Sequence, residues 1–166
     1  MRFDYAVEQY TTYLLKLSYL NVRDKQTAED IVQDVFIKLY EKFGDIIPLE
    51  HTKSYLVTMT MNRCRDYFKS WHYRKIQLTE VFSRDAKTET SHEISIDDTQ
   101  SELIQAILKL PTNYREVIIL FYYDEQSTNE IAKTLGIPAG TVKTRLQRAR
   151  QLLKEHIKDA EVTLHA

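Results

Sequence analysis

Thr141, Lys143, Thr144, Arg145, Gln147, Arg148 and Arg150 crowd one short segment with side chains that can hydrogen-bond base edges or phosphates. Arg and Lys pair with the guanine edge in a major groove, Gln pairs with adenine, and Thr serves either or touches a thymine methyl. Spacing decides which of them act together. Val142, Leu146, Ala149 and Leu153 recur at steps of four, three and four, the inward stripe of an amphipathic helix, so Lys143, Thr144, Gln147, Arg148 and Gln151 turn outward. Arg145 and Arg150 flank that row, where phosphates would lie. The chemistry is recognition rather than catalysis. The chain carries no GxxxxGK, HExxH or GxSxG, and His51, His72, His92, His156 and His165 are scattered without ligand spacing. No cofactor, metal or small-molecule substrate is expected, and no enzymatic activity.

A reading helix needs a frame. Ser127 with Glu130 three residues on is a capping box, in which hydroxyl and carboxylate satisfy orphan amides at a helix start. Ile131, Ala132 and Leu135 then face inward, Gly136 ends the helix in a positive-φ conformation, and Pro138 sits where the next helix can begin. This is the pattern of a helix-turn-helix. Its bland counterpart is a helical hairpin with a solvated basic face.

A second basic surface lies upstream. A helix is expected over Thr52 to Trp71, with Val57, Met61, Cys64, Phe68 and Trp71 as its core face and Thr58, Asn62, Arg65, Lys69 and His72 beside it. Asn62, Arg63, Arg65, Lys69, His72, Arg74 and Lys75 are interleaved with Tyr55, Tyr67, Phe68, Trp71 and Tyr73, a mixture suited to an unpaired strand. The aromatics read equally well as core. Before it, the spacing predicts a first helix over Phe3 to Leu20 and a turn at Asn21 to Asp24. A second helix follows, capped by Thr27, with Ile31, Val32, Val35, Phe36, Leu39, Tyr40 and Phe43 inward before Gly44. Asp30, Gln33, Asp34 and Glu41 form its acidic outer face, which on the residues alone is solvated surface.

With three Gly and three Pro in 166 residues the chain is expected to be all-α. Its net charge of −1 hides a segregation: Lys53 to Lys75 holds six Lys or Arg against Asp66, whereas Ile76 to Glu102 holds seven acids against Arg84 and Lys87. Two small helical domains joined by an acidic linker are expected, with boundaries at 1–75, 76–99 and 100–166. The second begins with a helix carrying Leu103, Ile104, Ile107, Leu108 and Leu110, ended by Pro111, and another carrying Tyr114, Val117, Ile118 and Phe121. Cys64 is alone, so no disulfide framework exists. MRFDYAVEQY is charged where a signal peptide needs an apolar run, and no stretch is long enough to span a membrane, which leads to the expectation of a cytoplasmic protein.

Nearly all of the chain resembles the sigma factors of bacterial RNA polymerase, specifically the two-domain extracytoplasmic-function group. AEDIVQDVFIKLY at 28–40 resembles that family's polymerase-binding helix, SYLVTMTMNRCRDYF at 54–68 its promoter-melting helix, and LPTNYREVIILFYYDEQSTNEIAKTLGIPAGTVKTRLQRARQLL at 110–153 its DNA reader. The resemblance implies a dissociable specificity subunit in which Asp30, Gln33 and Asp34 contact core RNA polymerase. It implies that Asn62, Arg63, Arg65, Asp66 and Lys69, with the loop at about 46–52, open and hold the −10 element. Thr141, Lys143, Thr144, Arg145, Gln147, Arg148 and Arg150 would serve the −35 element. Promoter DNA and an anti-sigma factor are the further partners implied, the latter able to hold the chain at a membrane. A rival reading is a helix-turn-helix regulator that binds DNA without polymerase, although the amino-terminal half lacks the βα alternation of a receiver domain.

Overall fold

The computed structural model describes residues 1–70, 74–75 and 98–165. The expected linker between them, and Trp71, His72 and Tyr73, lie outside the described residues. Regular structure among the described residues is helical, with one isolated bridge pairing Arg2 and Ile46. None of these helices is long and apolar enough to cross a membrane.

Three helices form an amino-terminal bundle. Helix α1 (Phe3–Val22) runs two residues past its expected end because Asn21 is buried, donating to the Leu17 carbonyl at 2.8 Å and to the Met61 sulfur at 3.4 Å. Helix α2 (Lys25–Phe43) is capped by Asp24, not Thr27. The Asp24 carboxylate accepts from the Thr27 amide at 2.8 Å and its hydroxyl at 2.6 Å, so the stronger acceptor takes the orphan donor. Gly44 ends α2 at φ 64°, a conformation costly for any residue with a Cβ. Helix α3 (Thr52–Lys69) stops before Trp71, with Ser70 in extended conformation.

The core of this bundle is Leu14, Leu17, Ile31, Val32, Val35, Leu39, Leu56, Val57, Met61 and Cys64. Leu56 and Thr60 join the expected face of α3, whereas Phe68 is half-buried. Tyr40 departs from expectation. It is 48% exposed, because the apolar stripe of α2 is wider than α1 and α3 cover. The segment leading into α3 is pinned to the chain start, where Phe3 N donates to Asp45 O at 3.0 Å and Ile47 N to Met1 O at 2.8 Å.

The carboxy-terminal bundle comprises α4 (Asp98–Leu108), α5 (Thr112–Tyr122), α6 (Thr128–Leu135) and α7 (Ala139–His165). Asp98 and Thr99 lie inside α4, upstream of the expected start near Gln100. Helix α5 is central, with Arg115 to Leu120 buried without a break. Arg115 closes the α4–α5 turn by donating to the carbonyls of Leu108 and Leu110, both at 3.1 Å. The two bundles touch: α1 packs on α4 and α5, and α3 packs on α6.

Candidate nucleic-acid interface

Local rules build the reader. The Ser127 hydroxyl accepts from Glu130 N at 3.2 Å while the Glu130 carboxylate accepts from Ser127 N at 2.7 Å, closing the capping box. Those bonds hold the Glu130 carboxyl below its ordinary range. Gly136 adopts φ 65°, and the first turn of α7 starts with Val142 N donating to Pro138 O at 3.1 Å. Val142, Leu146 and Ala149 are buried and Leu153 is half-buried, so α7 is fixed in rotation as well as in position.

That rotation exposes Lys143, Thr144, Gln147, Arg148, Arg150 and Gln151 on one side, with Thr141 half-buried in the first turn. Arg148 donates to Gln151 Oε1 at 3.0 Å, which extends its guanidinium along the helix surface. Arg150 lies over Phe121 and Tyr122, 5.2 and 5.6 Å from their ring centres, and donates from Nε to the Tyr122 hydroxyl at 2.8 Å. Its charge is held at the rim of the row. Arg145 has a different fate: three-quarters buried, it turns toward α5 and donates to Glu116 Oε1 at 3.3 Å.

The α3 face is divided. Asn62, Asp66 and Lys69 are exposed. Arg63 pairs with Asp34 of α2 and stands 3.8 Å from Asp66, which joins the expected polymerase face to the expected strand face. Arg65 grips Glu116 with two parallel bonds of 3.1 Å and also donates from Nη1 to the carbonyl of Leu135, the last residue of α6. The described aromatics of this helix are packed: Phe68 lies 5.8 Å from the Arg115 guanidinium, and Tyr55 meets Phe43 and accepts a bond from Lys42 at 3.1 Å. Burial pushes the neighbouring Cys64 thiol up to about 12.

On α2, Asp30 and Gln33 are exposed, and Asp34 is partly covered by Arg63. Asp30 and Gln33 rim a groove of ≈ 930 Å³ between α1 and α2, floored by Phe3, Val7, Phe36, Ile37 and Tyr40, whereas Asp34 pairs with Arg63 of α3 and does not line it. Ile37, half-exposed there, is an addition the sequence pattern does not single out, and Tyr40 joins it although the pattern places it in the core. Glu116 is the other. A charged pair, Arg115 and Glu116, opening an unbroken run of buried residues that is otherwise apolar is a signal that both must find partners, since burying an unpaired charge is prohibitive.

An exposed row of side chains able to hydrogen-bond base edges, on a helix-turn-helix joined to a second helical bundle, is the arrangement of a DNA-binding protein. Comparison narrows the class. Sigma-70 region 2 matches residues 6–73 and sigma-70 region 4 matches residues 100–153. The ECF RNA polymerase sigma factor SigW of Bacillus subtilis is 33% identical over 92% of this chain and 87% of its own length. The RNA polymerase sigma-E factor of Streptomyces avermitilis is 27% identical over 100% and 90%. The fold is shared with the sigma factor RpoE solved with the anti-sigma factor NepR from Bartonella quintana (TM-score 0.64, 24% identity, 94% and 96% of the two chains). It is shared also with CnrH solved with the cytosolic domain of CnrY (TM-score 0.62, 22% identity, 95% and 88%). The chain belongs to the extracytoplasmic-function group of sigma-70 RNA polymerase sigma factors, and the reading as a self-sufficient regulator gives way to it.

Proposed function

We propose that this sigma factor divides promoter recognition between its two bundles: α7 reads the −35 element as duplex, and α3 with the loop at 46–52 opens and holds the −10 strand. The working division is 1–75, 76–99 and 100–166. The observation that carries the reading is the exposed outward row of Lys143, Thr144, Gln147 and Arg148 on a helix whose rotation its buried stripe fixes. Ile46 and Leu49, 68% and 71% exposed in the pinned loop, offer apolar surface to an unstacked base. Asp30 and Gln33 with Ile37 and Tyr40 supply a polar rim and apolar floor for core polymerase, and Asp34, paired with Arg63, adds a carboxylate outside that groove. The same groove suits a helix of an anti-sigma factor in the cytoplasm. The chain contributes binding and positioning, and polymerase contributes the chemistry.

The linker has the reach this requires. About 23 extended residues span roughly 75 Å, and elements two helical turns apart are separated by roughly 70 Å. Initiation from a promoter library with core polymerase, with and without the chain, is the test. Core-dependent initiation at a shared two-element sequence is expected; a dimer occupying a palindrome without polymerase would overturn the reading.

A further inference from the structure

Tyr122 closes α5 beside the reading helix, and it is 57% exposed although the run from Arg115 to Leu120 just before it is buried without a break. Its neighbour Tyr123 turns inward, stacking on Tyr13 with ring centres 4.9 Å apart and donating to the Tyr13 carbonyl at 3.3 Å. Tyr122 turns to α7 instead. Its hydroxyl accepts from Arg150 Nε at 2.8 Å, and its ring meets Phe121 edge to face, with 5.0 Å between centres and 71° between planes. The two rings make the shelf on which the guanidinium rests.

The donors of this pair are not used up by the contact. A phenol that accepts one bond keeps its own O–H to donate, and a guanidinium that gives its Nε–H keeps four N–H groups along the Nη1–Nη2 edge. Among the described residues, neither set of remaining donors meets a protein acceptor. A charged and a neutral donor thus stand side by side at the surface, a pairing that suits the two non-bridging oxygens of a phosphodiester.

Position along α7 says where that phosphate lies. Arg150 follows Lys143 by seven residues, which is two turns on the same side of the helix and roughly 10 Å further along its axis. A major groove is about 12 Å wide, so a helix that sets Lys143 against base edges carries Arg150 out to the groove wall, where the backbone runs. Tyr122 goes with it.

We propose that Tyr122 is a DNA-backbone contact of the −35 interface, its hydroxyl and Arg150 clamping one phosphate between them. Tyr122 has two roles there: it holds Arg150 through Nε, and it donates to the phosphate itself. The upstream interface therefore extends from the helix-turn-helix onto the end of α5. The proposal rests on the reading of α7 as the helix that meets the −35 duplex, and adds a residue that precedes the helix-turn-helix.

The test is closed-complex binding by holoenzyme carrying Tyr122→Phe or Arg150→Ala, over a randomised −35 library and a range of salt. Tyr122→Phe keeps the ring under Arg150 and removes only the hydroxyl. It is expected to weaken every upstream sequence by about tenfold, the scale of one hydrogen bond to a charged group. Base preference and salt slope should stay as in wild type, because no cation is lost. Replacing single phosphates by methylphosphonate should erase the difference between Tyr122→Phe and wild type at one backbone position, and the effect of Arg150→Ala at that same position. Tyr122→Phe that binds as wild type would overturn the clamp. So would a salt slope that falls as far as in Arg150→Ala, which would leave the phenol as a support for Arg150 alone, or two different sensitive phosphates. The underlying reading fails separately: wild-type holoenzyme indifferent to the −35 library would remove α7 from duplex reading, whereas a discriminating wild type with a silent Tyr122→Phe removes only the clamp.

Discussion

The basic faces of α7 and α3 are built from the same residue types, yet the structure treats them oppositely. On α7 the outward Lys143, Gln147 and Arg148 are exposed, and Arg150 is propped on two aromatic rings. On α3 both arginines are engaged: Arg63 with Asp34 and Asp66, Arg65 with Glu116 and the end of α6. Cations left in solvent meet duplex DNA without rearrangement, so reading costs little beyond docking. Cations already paired must exchange a carboxylate for a phosphate, which couples strand capture to a change in the protein. The contrast predicts ordered recognition, with duplex read first and strand held second.

The largest effect comes from removing the support under the reading row. Leu146 is 2% exposed beneath Lys143 and Gln147, so Leu146→Ala is expected to cost about 2–5 kcal/mol in denaturant unfolding. An unchanged midpoint would mean that the row is not held by its core stripe. Next is Arg148→Ala, expected to lose about 1–3 kcal/mol of discrimination at one upstream base pair and to relax tolerance there. Competition over a randomised −35 library reads this directly. A uniform loss across all sequences would place Arg148 on the backbone and rotate the reading face from the one assigned.

Arg150→Ala sharpens the same distinction from the other side. Propped at the rim, Arg150 is expected to contact phosphate, so its loss should weaken all upstream sequences alike and lower the salt slope by about 0.9. An altered base preference with an unchanged slope would make it a reader. The smallest effect is at the frame. Because Glu130 is held below its ordinary range, its stabilisation is present above its unfolded value of about 4.5 and is lost as pH falls through the lowered one. Glu130→Gln should flatten the acid limb of the stability profile, and an identical acid limb in the variant would remove the capping box from the account.

What was legible in the sequence follows range of interaction. The capping box, the Gly136 terminus and the stripe of Val142, Leu146 and Ala149 depend on neighbours within a few residues, and periodicity reports them directly. Helix ends were less legible. Asp24 and Thr27 compete for one cap, and Asn21 stays helical because of Met61, forty residues away. Least legible was the state of the arginines. Arg65 and Arg145 lie 51 and 29 residues from Glu116, and no local pattern announces that pairing. Tyr40 is exposed for a related reason, since the width of an apolar stripe does not say how much of it a partner helix will cover.

On the proposed division of labour, α3 opens the promoter while α7 finds it. Holoenzyme carrying Arg65→Ala with Lys69→Ala, probed by permanganate on a cognate promoter, tests this most directly. Closed complexes are expected to form with near-normal affinity, while thymines of the −10 element stay unreactive. Normal thymine reactivity with weakened closed-complex binding would contradict it, making these cations contacts to duplex phosphate and assigning strand opening elsewhere in the chain.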